Sequence, residues 1–157
     1  MRESNRNAYA KINLTLEILD RRADGYHNIR SVMQKITLCD RLSFQSLPDG
    51  EMTVECDKPV CAMTDNLAYR AAALYREAYR RETGKDFGIR IAIEKKIPDR
   101  AGLAGGSADA ACVLDYLYDT VKGLSYDAVE EIAAKLGSDI NFCLNRCRCA
   151  YCTDRGI

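Results

Sequence analysis

The chain has 157 residues and a mass of 17.6 kDa, the size of one domain. Lys and Arg total 23 and Asp and Glu total 23, so the net charge is zero and a basic footprint for general nucleic-acid binding is excluded. Apolar residues at 47% and charged residues at 29% exclude wholesale disorder, and no apolar run approaches the ~20 residues of a membrane span. The start, Met1 to Arg6, is polar and carries no signal-peptide stretch, so a cytoplasmic protein is expected.

In chain order, Ile12, Leu14, Leu16 and Ile18 alternate with Asn13, Thr15 and Glu17, which predicts a half-buried strand. Residues 22–27 break it with a turn signal, and Ile29 to Phe44 reads as more strand. Met52, Val54 and Cys56 form a short alternating run. Asp65-Asn66 then caps a helix with Leu67, Ala71, Leu74, Tyr75 and Ala78 on one face, and Gly84 ends it. Ile89, Ile91 and Ile93 predict another strand. A second helix is expected from Ala108 to about Tyr118. Ser125 caps a third, with Val129, Ile132, Ala133 and Leu136 on one face and Gly137 past its end. Strands first and interleaved helices later give an α+β fold.

Eight cysteines stand at 39, 56, 61, 112, 143, 147, 149 and 152. The first four are scattered and show no disulfide framework, so reduced thiols are expected. The last four crowd together, but without paired C-x-x-C knuckles or a nearby His. Small half-buried residues in a strand are expected there rather than a metal site.

The most informative segment is Pro98-Asp99-Arg100-Ala101-Gly102-Leu103-Ala104-Gly105-Gly106-Ser107-Ala108. It follows a predicted strand and opens a predicted helix. Glycines 102, 105 and 106 let the backbone turn and approach a ligand closely, and the helix beyond offers unpaired N–H groups to an anion. Ser107 adds a hydroxyl for a phosphate oxygen or a metal-bound water. It lacks both the Gly-Lys-Ser/Thr ending of a Walker loop and the G-x-G-x-x-G of a dinucleotide loop. A glycine-bearing strand-to-helix turn without a ligand is the alternative.

Residues 98–108 resemble the ATP-binding signature of the GHMP kinases, roughly P-x-x-x-G-L-x-G-S/G-S-A. Ala8-Tyr9-Ala10-Lys11-Ile12-Asn13-Leu14, then Arg22-Ala23-Asp24-Gly25-Tyr26-His27, and finally Gly137-Ser138-Asp139-Ile140 are similar to further blocks of that family, in the same order. The resemblance runs from about Ala8 to Leu144. The N-terminal blocks resemble the branch that phosphorylates the 2-hydroxyl of a cytidine-diphosphate-linked methylerythritol, a small-molecule substrate of the non-mevalonate isoprenoid pathway.

The resemblance implies a ribosomal protein S5 domain 2-like fold with a left-handed crossover, and an ATP-dependent kinase that uses Mg2+. It implies catalytic roles for Asp139, on the proton of the attacking hydroxyl, and for Lys11, its cationic partner. It implies that Tyr26 and His27 flank the cytosine, Met33 packs beside it and Asn13 binds the sugar alcohol. Residues 98–108, with Asn66 and Lys95, would hold the nucleotide. Family enzymes are nearly twice as long and carry a second domain, here expected to be absent. The segment Asn145-Arg146-Cys147-Arg148-Cys149 and Asn141 also depart from the family pattern. Weak nucleotide affinity and very low or no turnover are therefore expected of these 157 residues alone. A homoserine or mevalonate acceptor is one alternative, against which residues 24–27 weigh. A non-catalytic ligand-binding remnant is another.

Overall fold

The computed structural model describes residues 4–21, 25, 27–58 and 61–153. Five strands form one sheet. They are β1 (Ser4–Arg21), β2 (His27–Leu47), β3 (Met52–Cys56), β4 (Gly88–Glu94) and β5 (Cys149–Cys152). The helices are α1 (Leu67–Thr83), α2 (Gly105–Val121), α3 (Tyr126–Leu136) and α4 (Ser138–Leu144). The architecture is α+β, as the order of predicted elements implied.

The sheet order is β1-β2-β4-β3, with β5 paired to β2 alongside β4's end of the sheet. β1 runs antiparallel to β2, and β2 antiparallel to β4, whereas β3 and β4 are parallel and joined through α1. The long β2 carries both β4, at residues 41–47, and β5, at residues 31–34.

Alternation explains which face of the sheet is covered. Ile89, Ile91 and Ile93 of β4 are buried while Arg90 and Glu94 are exposed. Leu42 and Phe44 of β2 join them against Ala71 and Tyr75 of α1 and Val113, Leu114 and Leu117 of α2. Phe44 and Tyr116 stack with centroids 3.9 Å apart. Both expected helix caps form: the Asn66 side chain accepts from the Ala68 N–H, and the Ser125 side chain from the Ala128 N–H. Gly84 closes α1 in the left-handed conformation at φ 68°.

The structure corrects three local expectations. First, the apolar residues of β1 do not make a half-buried strand: Leu14, Leu16 and Ile18 are 56%, 56% and 64% exposed. They belong to the part of the β1–β2 hairpin that extends beyond the helical layer, so periodicity there found a strand without a covering partner. Second, α2 starts at Gly105 rather than Ala108, which moves Gly105, Gly106 and Ser107 into its first turn. Third, residues 138–144 form a helix of their own, where the periodicity predicted no element. Of the clustered cysteines, only Cys149 and Cys152 lie in a strand; Cys143 is in α4 and Cys147 in the connection. Among the described residues no group of three or more His, Cys, Asp or Glu could hold a metal ion. No described helix is long and apolar enough to cross a membrane.

Candidate active site

The site begins with an irregularity in β1. The β1–β2 register shifts between Tyr9 and Lys11, and Ala10 and Lys11 are both buried. In a regular strand, consecutive side chains point to opposite faces; a bulge relaxes that rule and re-aims one of them. Lys11, only 6% exposed, needs a partner because an unpaired buried ammonium is costly. Its Nζ lies 3.3 Å from Asp139 Oδ2 and donates to Asn13 Oδ1 at 2.7 Å. Asn13 in turn donates through Nδ2 to Ser31 Oγ at 2.6 Å, and Ser31 donates to the Thr15 carbonyl at 2.7 Å. Lys11 and Asn13 of β1 thus form one polar group with Asp139, which is distant in sequence. Asp139 stands in the first turn of α4, with its side chain one-third exposed.

The glycine-rich loop is tied to the same strand, because the Lys11 backbone N–H donates to the Leu103 carbonyl at 3.1 Å. Its backbone is left-handed at Arg100 (φ 53°), Gly102 (φ 74°) and Ala104 (φ 57°). Glycine adopts this conformation freely, but Arg100 and Ala104 each store about 1 kcal/mol or more, and such strain clusters at functional sites. Ala104 is the N-cap of α2 and provides no side-chain cap. The first amides of a helix have no partners within it, so the first turn of α2 presents donors for an anion. Pro98 to Gly102 are exposed, Leu103 to Gly105 and Ser107 half-buried, Gly106 exposed and Ala108 buried. Gly105 is favoured by close packing rather than by φ: a Cβ there would meet Ile97 Cγ2 at 3.0 Å and Lys95 Nζ at 3.3 Å.

Beside the first turn of α2 lies a cavity of about 220 Å³ whose lining includes Asn66, Leu67, Lys95, Gly106 and Asp109. Asn66 and Lys95 therefore face one space together with the glycine loop. Lys95 is not a free cation, since its Nζ bonds to Asp40 and, at 2.7 Å, to Asp109. Asp40 is fully buried and also accepts the Lys96 and Ile97 N–H groups at 2.5 and 2.8 Å. Two carboxylates share one ammonium here. Burial raises the Asp109 carboxyl to about 7 against the pull of Lys95. Burial opposes the charge on Lys95, but Asp109 and Asp40 outweigh it and raise its pKa.

The substrate-side expectations fare unevenly. Tyr26 lies outside the described residues. His27 is exposed and pairs with Arg21 at the far end of the hairpin from Lys11. Met33 sits opposite Asn13 but is 1% exposed, packed on Phe142 and Cys152. Its side chain is closed off from the surface by Phe142 of α4 and Cys152 of β5. Asp40, Asp109 and Ser31 were not foreseen. Asp109 had a signal, a carboxylate within the run of small and apolar residues 108–114.

The family model described as "GHMP kinases N terminal domain" matches residues 66–146. A 4-diphosphocytidyl-2-C-methyl-D-erythritol kinase of Synechococcus sp. (strain JA-3-3Ab) is 50% identical over 139 residues, which are 87% of this chain and 43% of that protein. A putative enzyme of the same name from Staphylococcus aureus (strain bovine RF122 / ET3-1) is 44% identical over 153 residues, 95% of this chain and 52% of that one. The crystal structure of a 4-(cytidine 5'-diphospho)-2C-methyl-D-erythritol kinase superposes with a TM-score of 0.78 at 37% identity, covering 98% of this chain and 53% of the other. The chain spans about half the length of the curated relatives it matches. With the family match extending over more than half of its residues, and including the glycine loop and Asp139, the chain belongs to the GHMP kinases, whose N-terminal domain it carries.

Proposed function

We propose that this chain forms the nucleotide-binding and catalytic part of an ATP-dependent kinase acting on the 2-hydroxyl of 4-diphosphocytidyl-2-C-methyl-D-erythritol, in the non-mevalonate route to isopentenyl diphosphate. One observation carries the reading: Lys11 joins Asp139 through its side chain and the glycine loop through its backbone. Phosphoryl transfer asks a protein for position and for charge stabilisation rather than for covalent chemistry.

The roles follow from the chemistry of each group. Asp139 accepts or orients the proton of the attacking hydroxyl. Lys11 favours the ionised carboxylate and offsets negative charge that builds on the phosphoryl oxygens. Asn13, held by Ser31, offers its amide to the polyol. The amides at the start of α2, with the Ser107 hydroxyl, hold the phosphates; Asn66 and the rim around Lys95 border the base. Tyr26 and His27 are assigned to the cytosine, and Met33, opposite Asn13, to the packing on that side of the site. ATP supplies the phosphoryl group. Mg2+ binds typically through one or two carboxylates together with phosphate oxygens. The one-third-exposed Asp139 carboxylate and the Ser107 hydroxyl in the uncapped first turn of α2 fit an ion that arrives with the triphosphate.

The test is titration of the 157-residue chain with ATP and Mg2+, followed by transfer from labelled ATP to a panel of acceptors. Transfer to the cytidine-linked acceptor in preference to homoserine and mevalonate is expected. Asp139→Asn should keep the nucleotide and lose ~10² or more in transfer. Absence of nucleotide binding, or a preference for homoserine, would sink the assignment.

A further inference from the structure

The two lysines that face each other across β1 and β2 grip opposite ends of α4. Lys11 and Lys35 are register partners. Lys11 holds Asp139 in the first turn of α4. Lys35 reaches the other end: its Nζ donates to the Cys143 carbonyl at 2.9 Å and to the Asn145 carbonyl, and lies 5.7 Å from the Phe142 ring centroid. Its backbone N–H donates to the Arg148 carbonyl at 2.7 Å, just past the helix. The last carbonyls of a helix lack partners within it, and a cation is their best external donor.

We propose that Lys35 is a positioning residue for the phosphoryl transfer described above, setting the place of Asp139 by clamping the C-terminal end of α4. This rests on the assignment of Asp139 as the catalytic carboxylate. The helix has seven residues, roughly 10 Å of rise, so fixing one end orients the other. No side chain caps its N-terminal end. Asp139 is therefore held by its bond to Lys11, the packing of Ile140, Phe142 and Leu144, and the clamp at the far end. The ammonium is half-buried, and burial lowers its pKa; it occupies that place because two carbonyls receive it. The Lys35 ammonium is spent on the Cys143 and Asn145 carbonyls at the far end of α4 from Asp139, so its influence passes through the helix.

Lys35→Met removes the donor and Lys35→Arg restores one; Lys35→Gln serves if the Met variant does not fold. Three readouts apply to the 157-residue chain: ATP affinity, single-turnover transfer from labelled ATP, and the Asp139 carboxyl carbon resonance by NMR at one pH. The expected result for Lys35→Met is transfer slowed about 10- to 100-fold, ATP affinity within about twofold, and a displaced Asp139 resonance, all reversed in Lys35→Arg. A merely structural lysine would lower thermal stability and leave that resonance in place. Wild-type transfer with an unmoved resonance overturns the proposal. A parent chain that binds no ATP, or that prefers homoserine, fails the kinase reading by itself; a parent chain that binds ATP but transfers too slowly to measure leaves that reading standing. The Asp139 resonance and hydrogen exchange at residues 142–145 then decide whether Lys35 orients the helix. Unchanged values in Lys35→Met overturn that as well.

Discussion

A buried carboxyl that titrates near neutrality leaves a signature in stability. Asp109 is raised by burial from 3.8 to about 7 in the folded chain. Between those values the native state keeps a proton that the unfolded chain has released. The stabilisation this provides is complete below the ordinary carboxyl value, declines as the pH rises, and is lost above about 7. Its magnitude is on the order of a few kcal/mol, since each pKa unit is worth about 1.4. Asp109→Asn is accordingly expected to gain stability relative to the parent at pH 8 and not at pH 4, read from urea midpoints. A parallel pH dependence in the two proteins would show that Asp109 ionises freely. The Lys11–Asp139 pair is a different case at this scale. The residue types were readable as a motif, but a bulge at Tyr9/Lys11 and a helix at 138–144 bring them within 3.3 Å. Neither device has a periodic signature.

At the scale of elements, the glycine loop and α2 act as one unit. Gly105 and Gly106 look alike in the sequence yet differ in surroundings. A Cβ on Gly105 would press on Ile97 at 3.0 Å, whereas one on Gly106 would meet Leu67 Cδ1 at an ordinary 3.5 Å. Gly105→Ala is expected to cost ~1–3 kcal/mol of stability and to displace Lys95 from its carboxylates. Gly106→Ala should be neutral or stabilising by up to ~1 kcal/mol, because alanine suits a helix better. Thermal unfolding of the two variants checks this ordering. The start of α2 escaped the sequence reading because glycine has poor helix propensity; tertiary packing on Ile97 overrides it. The caps Asn66 and Ser125 were legible, because capping is a local hydrogen bond between neighbours in the chain.

For the whole molecule, hydrophobicity and burial part company in one region. Phe44 is fully buried in the main core and stacks on Tyr116, whereas Leu16 is 56% exposed on the hairpin arm. Phe44→Ala should destabilise by ~3–5 kcal/mol. Leu16→Thr should stay within ~0.5 kcal/mol of the parent in chemical denaturation. A large loss from Leu16→Thr would mean that the arm is packed in solution.

The amino-acid sequence by itself determined the α+β class, the strands and main helices, two caps and the glycine-rich loop motif. Each of these depends on neighbours within a few residues along the chain. Only the tertiary structure decided which apolar stripe is covered, that Lys95 is shared between Asp40 and Asp109, and that Lys11 and Lys35 hold the two ends of α4. Those are contacts between segments far apart in the chain, set by sheet register and helix docking, and no local pattern encodes them.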